Sequence, residues 1–195
     1  MMRLQSKKIG IMLKIKQLGD TRILNEINRI MFEGAEVLII LLGEEKDGFP
    51  AFIRKLTPIR KITDNYGQDL KPLGKFCPAR EGSLFDLLVF IPCTGKQLSL
   101  LAEMIPRDRD HNGLPLVIAP VLERDTPPPF GDISALMDIR GIYFVPFGPL
   151  TRKGSGEKQA PALFYRLDLL TESCIAALEG HSLKHSFWEN NFFPG

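Results

Sequence analysis

Cysteine and histidine are both scarce, at three residues each among 195. Cys77, Cys93 and Cys174 are odd in number and far apart, which argues against a disulfide framework or a paired-cysteine metal motif and fits reduced thiols. His111 sits among alternating charges with no second ligand at usable spacing, so it reads as a surface residue and no metal site is expected. Charge of one sign is also missing. The 25 basic and 23 acidic residues leave a net +2, giving no broad electrostatic reason to bind nucleic acid or an anionic membrane. Long apolar runs are absent too: the longest, residues 37–42, is far too short to span a bilayer, and residues 1–8 lack the apolar core of a signal peptide. A soluble, cytoplasmic protein is expected. Finally, there is no Gly-rich fingerprint after the first apolar segment, where Lys14-Ile15-Lys16-Gln17-Leu18 precedes the first glycine. A standard dinucleotide loop is therefore not expected.

With 44% hydrophobic residues the chain can bury a full core, and residues 1–180 read as one α/β domain followed by an aromatic tail, residues 181–195. Its organising stretch is Phe85-Asp86-Leu87-Leu88-Val89-Phe90-Ile91-Pro92-Cys93-Thr94-Gly95-Lys96-Gln97. The apolar run suits a strand buried on both faces of a parallel sheet, and Leu98, Leu101, Ala102 and Ile105 follow at helical spacing. Thr94 to Gln97 then form the turn from a strand's carboxyl end into a helix start, where unpaired N–H groups and the helix dipole favour an anion. Thr94, Gly95, Lys96 and Gln97 are the candidate anion or cofactor site; the competing reading is a plain turn capped by Thr94. Lys14 and Lys16, at the end of the first strand, are further candidate ligand residues, or two solvated lysines.

The remaining segments fill in the domain. Residues 8–13 read as a strand, Asp20 or Thr21 as an N-cap, and Ile23, Leu24, Ile27, Ile30 and Met31 as one helical face ending at Gly34. Residues 37–42 form the next strand, residues 51–63 a helix kinked at Pro58, and residues 64–83 a long loop. A turn over residues 107–113 leads to a strand at 114–122, interrupted near Pro120. The stiff connector Thr126-Pro127-Pro128-Pro129-Phe130-Gly131 precedes a short helix at 132–138 with Asp132 near its start. Residues 142–148 read as a fifth strand, and Gly154-Ser155-Gly156-Glu157-Lys158 as a mobile loop without the order of a phosphate loop. The periodicity of Leu163, Leu167, Leu170, Cys174 and Leu178 predicts a helix over 162–179 with Gly180 as its C′ residue. Phe187, Trp188, Phe192 and Phe193 in the tail suggest a subunit contact.

In this order the chain resembles the B subunit of dipicolinate synthase, within a wider flavoprotein-like group of three-layer α/β proteins that includes flavin-dependent cysteine decarboxylases. The resemblance rests on Lys8-Ile9-Gly10, Glu33-Gly34-Ala35-Glu36-Val37, Lys71-Pro72-Leu73-Gly74, Pro92-Cys93-Thr94-Gly95, the segment Ile142-Tyr143-Phe144-Val145-Pro146-Phe147-Gly148, and the helix end Ala176-Ala177-Leu178-Glu179-Gly180. It implies a Rossmann-like, mostly parallel sheet of five to six strands with helices on both faces. It also implies a sporulation protein, an oxidoreductase subunit that acts with a nucleotide-binding A-type subunit to oxidise dihydrodipicolinate to dipicolinate.

The resemblance further implies flavin mononucleotide (FMN) as a cofactor and a homo-oligomer. Thr94 and Gly95 match the family's second loop, whereas Lys96 and Gln97 replace its Asn and Ser, and the small residues of its first loop fall on bulky or cationic positions from Met12 to Leu18. A phosphate cradle needs small residues and Gly at positive φ, so the first loop argues against flavin and for a small anionic ligand such as a dicarboxylate held by lysines. No histidine precedes His111, which disfavours decarboxylation. Cys93 reads as a packing residue; Ser99, Ser134, Glu123 and Asp125 show no recognisable partners, and no catalytic residue is assigned. The alternatives are a non-catalytic assembly or regulatory protein on the same scaffold and a free-standing FMN enzyme.

Overall fold

Alternation sorts the first strand between two cores: Ile9, Ile11 and Leu13 pack on one face of the sheet and Met12 on the other. The computed structural model describes residues 2–14, 20–42, 84–107, 113–122, 129–149 and 163–183. Strand β1 (Lys8–Lys14) leads to α1 (Thr21–Phe32) and β2 (Glu36–Leu42); β3 (Leu87–Thr94) leads to α2 (Gly95–Met104) and β4 (Leu116–Leu122). Helix α3 (Phe130–Met137) precedes the short strands β5 (Ile142–Phe144), β6 (Phe147–Pro149) and β7 (Leu163–Tyr165). A 3-10 turn (Leu167–Leu169) then enters α4 (Leu170–Leu178).

Five strands are parallel, in the order β2-β1-β3-β4-β5, with β7 antiparallel on β4 and β6 antiparallel on β7. Helices α1 and α4 cover one face through Ile23, Ile27, Ile30, Leu170 and Cys174. On the other face α2 and α3 bury Leu98, Leu101, Ile133 and Leu136. Each such aliphatic side chain contributes roughly 1.5–3 kcal/mol when taken from water. The result is an α/β domain, as the pattern predicted, with the three-layer architecture that the resemblance implied.

Helix α1 starts where Asp20 Oδ1 accepts the Arg22 N–H at 3.0 Å. It stops at Gly34, whose φ of +93° lets Ala35 N reach Ile30 O at 3.4 Å while Gly34 N donates to Met31 O at 2.9 Å. That is the αL helix end the sequence predicted, and Gly180 ends α4 likewise. A charged clasp joins α1 to α4. Arg29 pairs with Glu172 and donates to Asp168 O at 3.1 Å, and Thr171 Oγ1 donates to Glu26 Oε2 at 3.1 Å.

Several boundaries differ from the sequence reading. Strand β3 continues through Pro92, preceded by a cis bond, and carries one more residue than β4 between Phe90 and Cys93. Strand β4 is not interrupted at Pro120. Leu116 N donates to Gly141 O and Ile118 O accepts from Val145 N, so alternate residues of β4 turn their backbone groups toward β5. Pro120 comes after the last β5 pairing and before β7 begins at Val121, where a missing N–H breaks no ladder bond. Residues 142–148 form two strands, because the chain leaves β4 at Val145 and Pro146 and re-pairs with β7. The helix expected over 162–179 begins only at Leu170, and α3 begins two residues before the predicted start, at Phe130. The helix at 51–63, the loops at 64–83 and 154–158, Lys16, Cys77, His111 and the four tail aromatics lie outside the described residues.

Candidate functional site

From β1 the chain turns into α1 on one face of the sheet and then to β2; from its neighbour β3 it turns into α2 on the opposite face and then to β4. The carboxyl ends of β1 and β3 therefore flank the crevice where connections diverge, which is where open α/β sheets take ligands. Thr94, Gly95, Lys96 and Gln97 lie together there, at the end of β3 and the start of α2. Lys14 is the last residue of the adjacent strand β1.

Thr94 is extended, with φ −76° and ψ 162°, and forms a capping box with Gln97. Its N–H and its hydroxyl each donate to Gln97 Oε1 at 2.9 Å. Thr94 and Gln97 are thus engaged with each other, as the plain-turn reading requires. An anion would be met by the backbone N–H groups of Gly95 and Lys96, which lack intrahelical acceptors at a helix start, and by the exposed Lys96 ammonium. One relationship was not legible from spacing. Ser99, for which the sequence offered no partner, donates to Asp132 Oδ2 at 2.5 Å and so joins the early turns of α2 and α3.

The start of α1, at the same edge, is finished differently. The Arg22 guanidinium folds back onto Asp20, with Nε to Oδ1 at 3.1 Å and Nη2 to Oδ2 at 2.7 Å. The Arg22 side-chain bond, aided by the backbone N–H, holds the Asp20 carboxyl below the usual range. Burial, with the Asp20 charge adding, pushes the Tyr165 phenol up to about 12, so it stays neutral at physiological pH. Cys93 is fully buried in the core beneath the α2 start, which supports its packing role. Among the described residues no cluster of His, Cys, Asp and Glu has the form of a metal site, and no helix is long and apolar enough to cross a membrane. A separate cleft of about 470 Å³ lies at the opposite edge, lined by Gly113, Pro115, Arg140, Ile142 and His181 among others. None of the predicted site residues lines it.

The sheet order and the helices on both faces define a three-layer, flavoprotein-like α/β fold. No protein-family model matches the chain. It is 25% identical over 206 residues to the dipicolinate synthase B subunit of Bacillus subtilis (strain 168), an alignment covering 97% of this chain and 98% of that relative. The crystal structure of the dipicolinate synthase B subunit from Bacillus halodurans C matches with a TM-score of 0.68 and 19% identity, over 94% of this chain and 96% of the other. The FMN-dependent cysteine decarboxylase SpaF matches with a TM-score of 0.53 and 17% identity, over 90% and 98% of the two chains. The chain is thus similar to the B subunit of dipicolinate synthase along its whole length, as its motifs indicated, and shares its fold with flavoproteins.

Proposed function

We propose that the chain serves as a dipicolinate synthase B-like subunit, acting with a nucleotide-binding A-type subunit in the oxidation of dihydrodipicolinate to dipicolinate during sporulation. The observation that carries this reading is the end-to-end similarity to the B subunit of dipicolinate synthase. Within that role the carboxyl edge receives the dicarboxylate. One carboxylate lies over the Gly95 and Lys96 N–H groups with the Lys96 ammonium beside it, and Lys14 and Lys16 supply further positive charge. Point charges of this kind suit a small, planar, doubly charged ligand, and the partner's nucleotide provides the oxidant. The protein works in the cytoplasm as a homo-oligomer, with residues 1–180 as its single domain.

Reconstitution tests the reading. The chain is expected to co-purify with an A-type subunit and to raise its turnover, and dipicolinate should bind with an affinity reduced about tenfold by Lys96→Ala, the loss of one charge-assisted contact. Failure to associate together with no effect on turnover would sink the proposal.

A second reading, FMN binding, is suggested by the fold shared with a decarboxylase described as FMN-dependent. Flavin titration of the same preparation decides it. Flavin binding weakened by Lys96→Ala would support a working flavoprotein. If neither flavin nor dipicolinate binds, an assembly or regulatory role on this scaffold becomes the better account.

A further inference from the structure

The two helix starts beside the crevice offer opposite electrostatics. Helix α2 opens with neutral caps, Thr94 and Gln97, and an exposed lysine, whereas α1 opens with a carboxylate of its own. A phosphate at a helix start is held by N–H groups of the first turn and often by an arginine fork. At α1 the Arg22 N–H and the Arg22 fork are already engaged. Asp20 Oδ1 takes the Arg22 N–H at 3.0 Å, and both Asp20 oxygens are gripped by the Arg22 guanidinium at 3.1 and 2.7 Å. The carboxylate occupies the position of an anionic ligand and carries the same sign of charge. A phosphate entering here meets a fixed negative charge or must displace a bidentate ion pair together with a helix cap.

We infer that Asp20 is a specificity determinant that closes the α1 start to phosphate groups, so that of the two helix starts flanking β1 and β3 the one at α2 is left open to an anion. A flavin then gains nothing from its phosphate at α1, and small carboxylates that need only one helix start are favoured. Arg22 is the positioning residue that keeps the carboxylate in place. The inference rests on reading the carboxyl edge as the ligand edge. It does not require the A-type subunit or a particular substrate.

The test compares the full-length chain with Asp20→Gly, which frees the N–H groups, and Asp20→Asn, which removes the charge and keeps the cap. Melting temperature is measured in inorganic phosphate against chloride at equal ionic strength, and FMN and riboflavin are titrated by flavin fluorescence. The unsubstituted chain should show no phosphate-specific rise in Tm, and any flavin affinity should differ by less than about threefold between FMN and riboflavin. Asp20→Gly should gain a phosphate-specific rise in Tm and, where flavin binds, a preference for FMN of about tenfold. Asp20→Asn should gain less, and it carries the comparison if the glycine variant does not fold. Phosphate stabilising the unsubstituted chain as much as the variants, an FMN preference of about tenfold without substitution, or no gain in either variant would each overturn the inference. Dicarboxylate binding and its Lys96 dependence are measured separately, so either idea can fail while the other stands.

Discussion

Ser99 of α2 donates its hydroxyl to Asp132 of α3 at 2.5 Å, tying together two helices that both start at the carboxyl edge of the sheet. Asp132 also lies in the first turn of α3, where the helix dipole stabilises its charge. Any ligand held over Gly95 and Lys96 therefore rests on a helix start braced against its neighbour. The brace is expected to matter more for binding geometry than for survival of the fold.

Ser99→Ala should cost about 1–2 kcal/mol of stability, the usual range for a partly buried hydrogen bond to a charged group. In urea unfolding, a double-mutant cycle with Asp132→Ala should give a coupling of about 1 kcal/mol. Additive losses from the two substitutions would show that the pair does not act as a unit.

Gly10 lies where β1 passes beneath the second core. A Cβ built there would sit 2.7 Å from Leu88 Cδ2, 3.1 Å from Phe85 Cε1 and 3.2 Å from Ile40 Cδ1. Those three side chains are buried, so an added methyl forces them to shift within a packed core. Gly10→Ala is expected to destabilise the protein by about 1–3 kcal/mol through overpacking. An unchanged denaturation midpoint would mean that the core yields at no cost.

The elements that announced themselves in the sequence are those whose determinants are local. Alternation in β1, the Asp20 cap, the Ile23, Ile27 and Ile30 stripe and Gly34 all lie within the segments they shape. The helix expected from residue 162 failed for a reason that spacing cannot contain. Leu163 keeps helical register with Leu167 and Leu170, yet β5 ends at Phe144 and leaves the backbone of Val121 and Leu122 open on β4, and residues 163 and 164 pair there instead. Arg166 N then donates to Pro146 O at 2.6 Å, fixing the corner before the chain turns helical. Tertiary pairing outweighed local periodicity. The site divides the same way: Thr94 to Gln97 were legible as a strand-to-helix turn, whereas Ser99 and Asp132, 33 residues apart, meet only through the packing of α2 on α3.

The thiols supply a kinetic prediction. Cys93 and Cys174 are fully buried, and burial, with Glu172 and Glu26 adding, pushes the Cys174 thiol far up. Neither sulfur is presented as a reactive thiolate. In a Cys77→Ser variant, a chromogenic disulfide reagent should find no fast-reacting thiol in the native protein, with both groups titrating at the rate of opening or unfolding. A rapid phase removed by Cys93→Ser would instead mark a functional cysteine.

Acid should weaken the fold partly through two arginine-held carboxylates. Asp20 is lowered chiefly by its side-chain bond from Arg22, and Asp168 chiefly by that from Arg166, at 2.7 and 2.9 Å. For a group with a depressed folded-state pKa, the stabilisation is complete above the unfolded value, near 3.8 for Asp, and is lost as pH falls through the lower folded value. The contribution should therefore be constant from neutral pH to about 5 and fade below about 4. Both pairs are largely solvent-exposed, so each is worth about 0.2–1 kcal/mol. An Asp20→Asn, Asp168→Asn double variant should consequently show a shallower fall in Tm between about pH 4 and pH 2 than the unsubstituted chain, with an offset at neutral pH. Parallel acid limbs would show that these carboxylates do not titrate with folding, and would weaken the case that the Asp20–Arg22 pair is firm enough to keep phosphate from the start of α1.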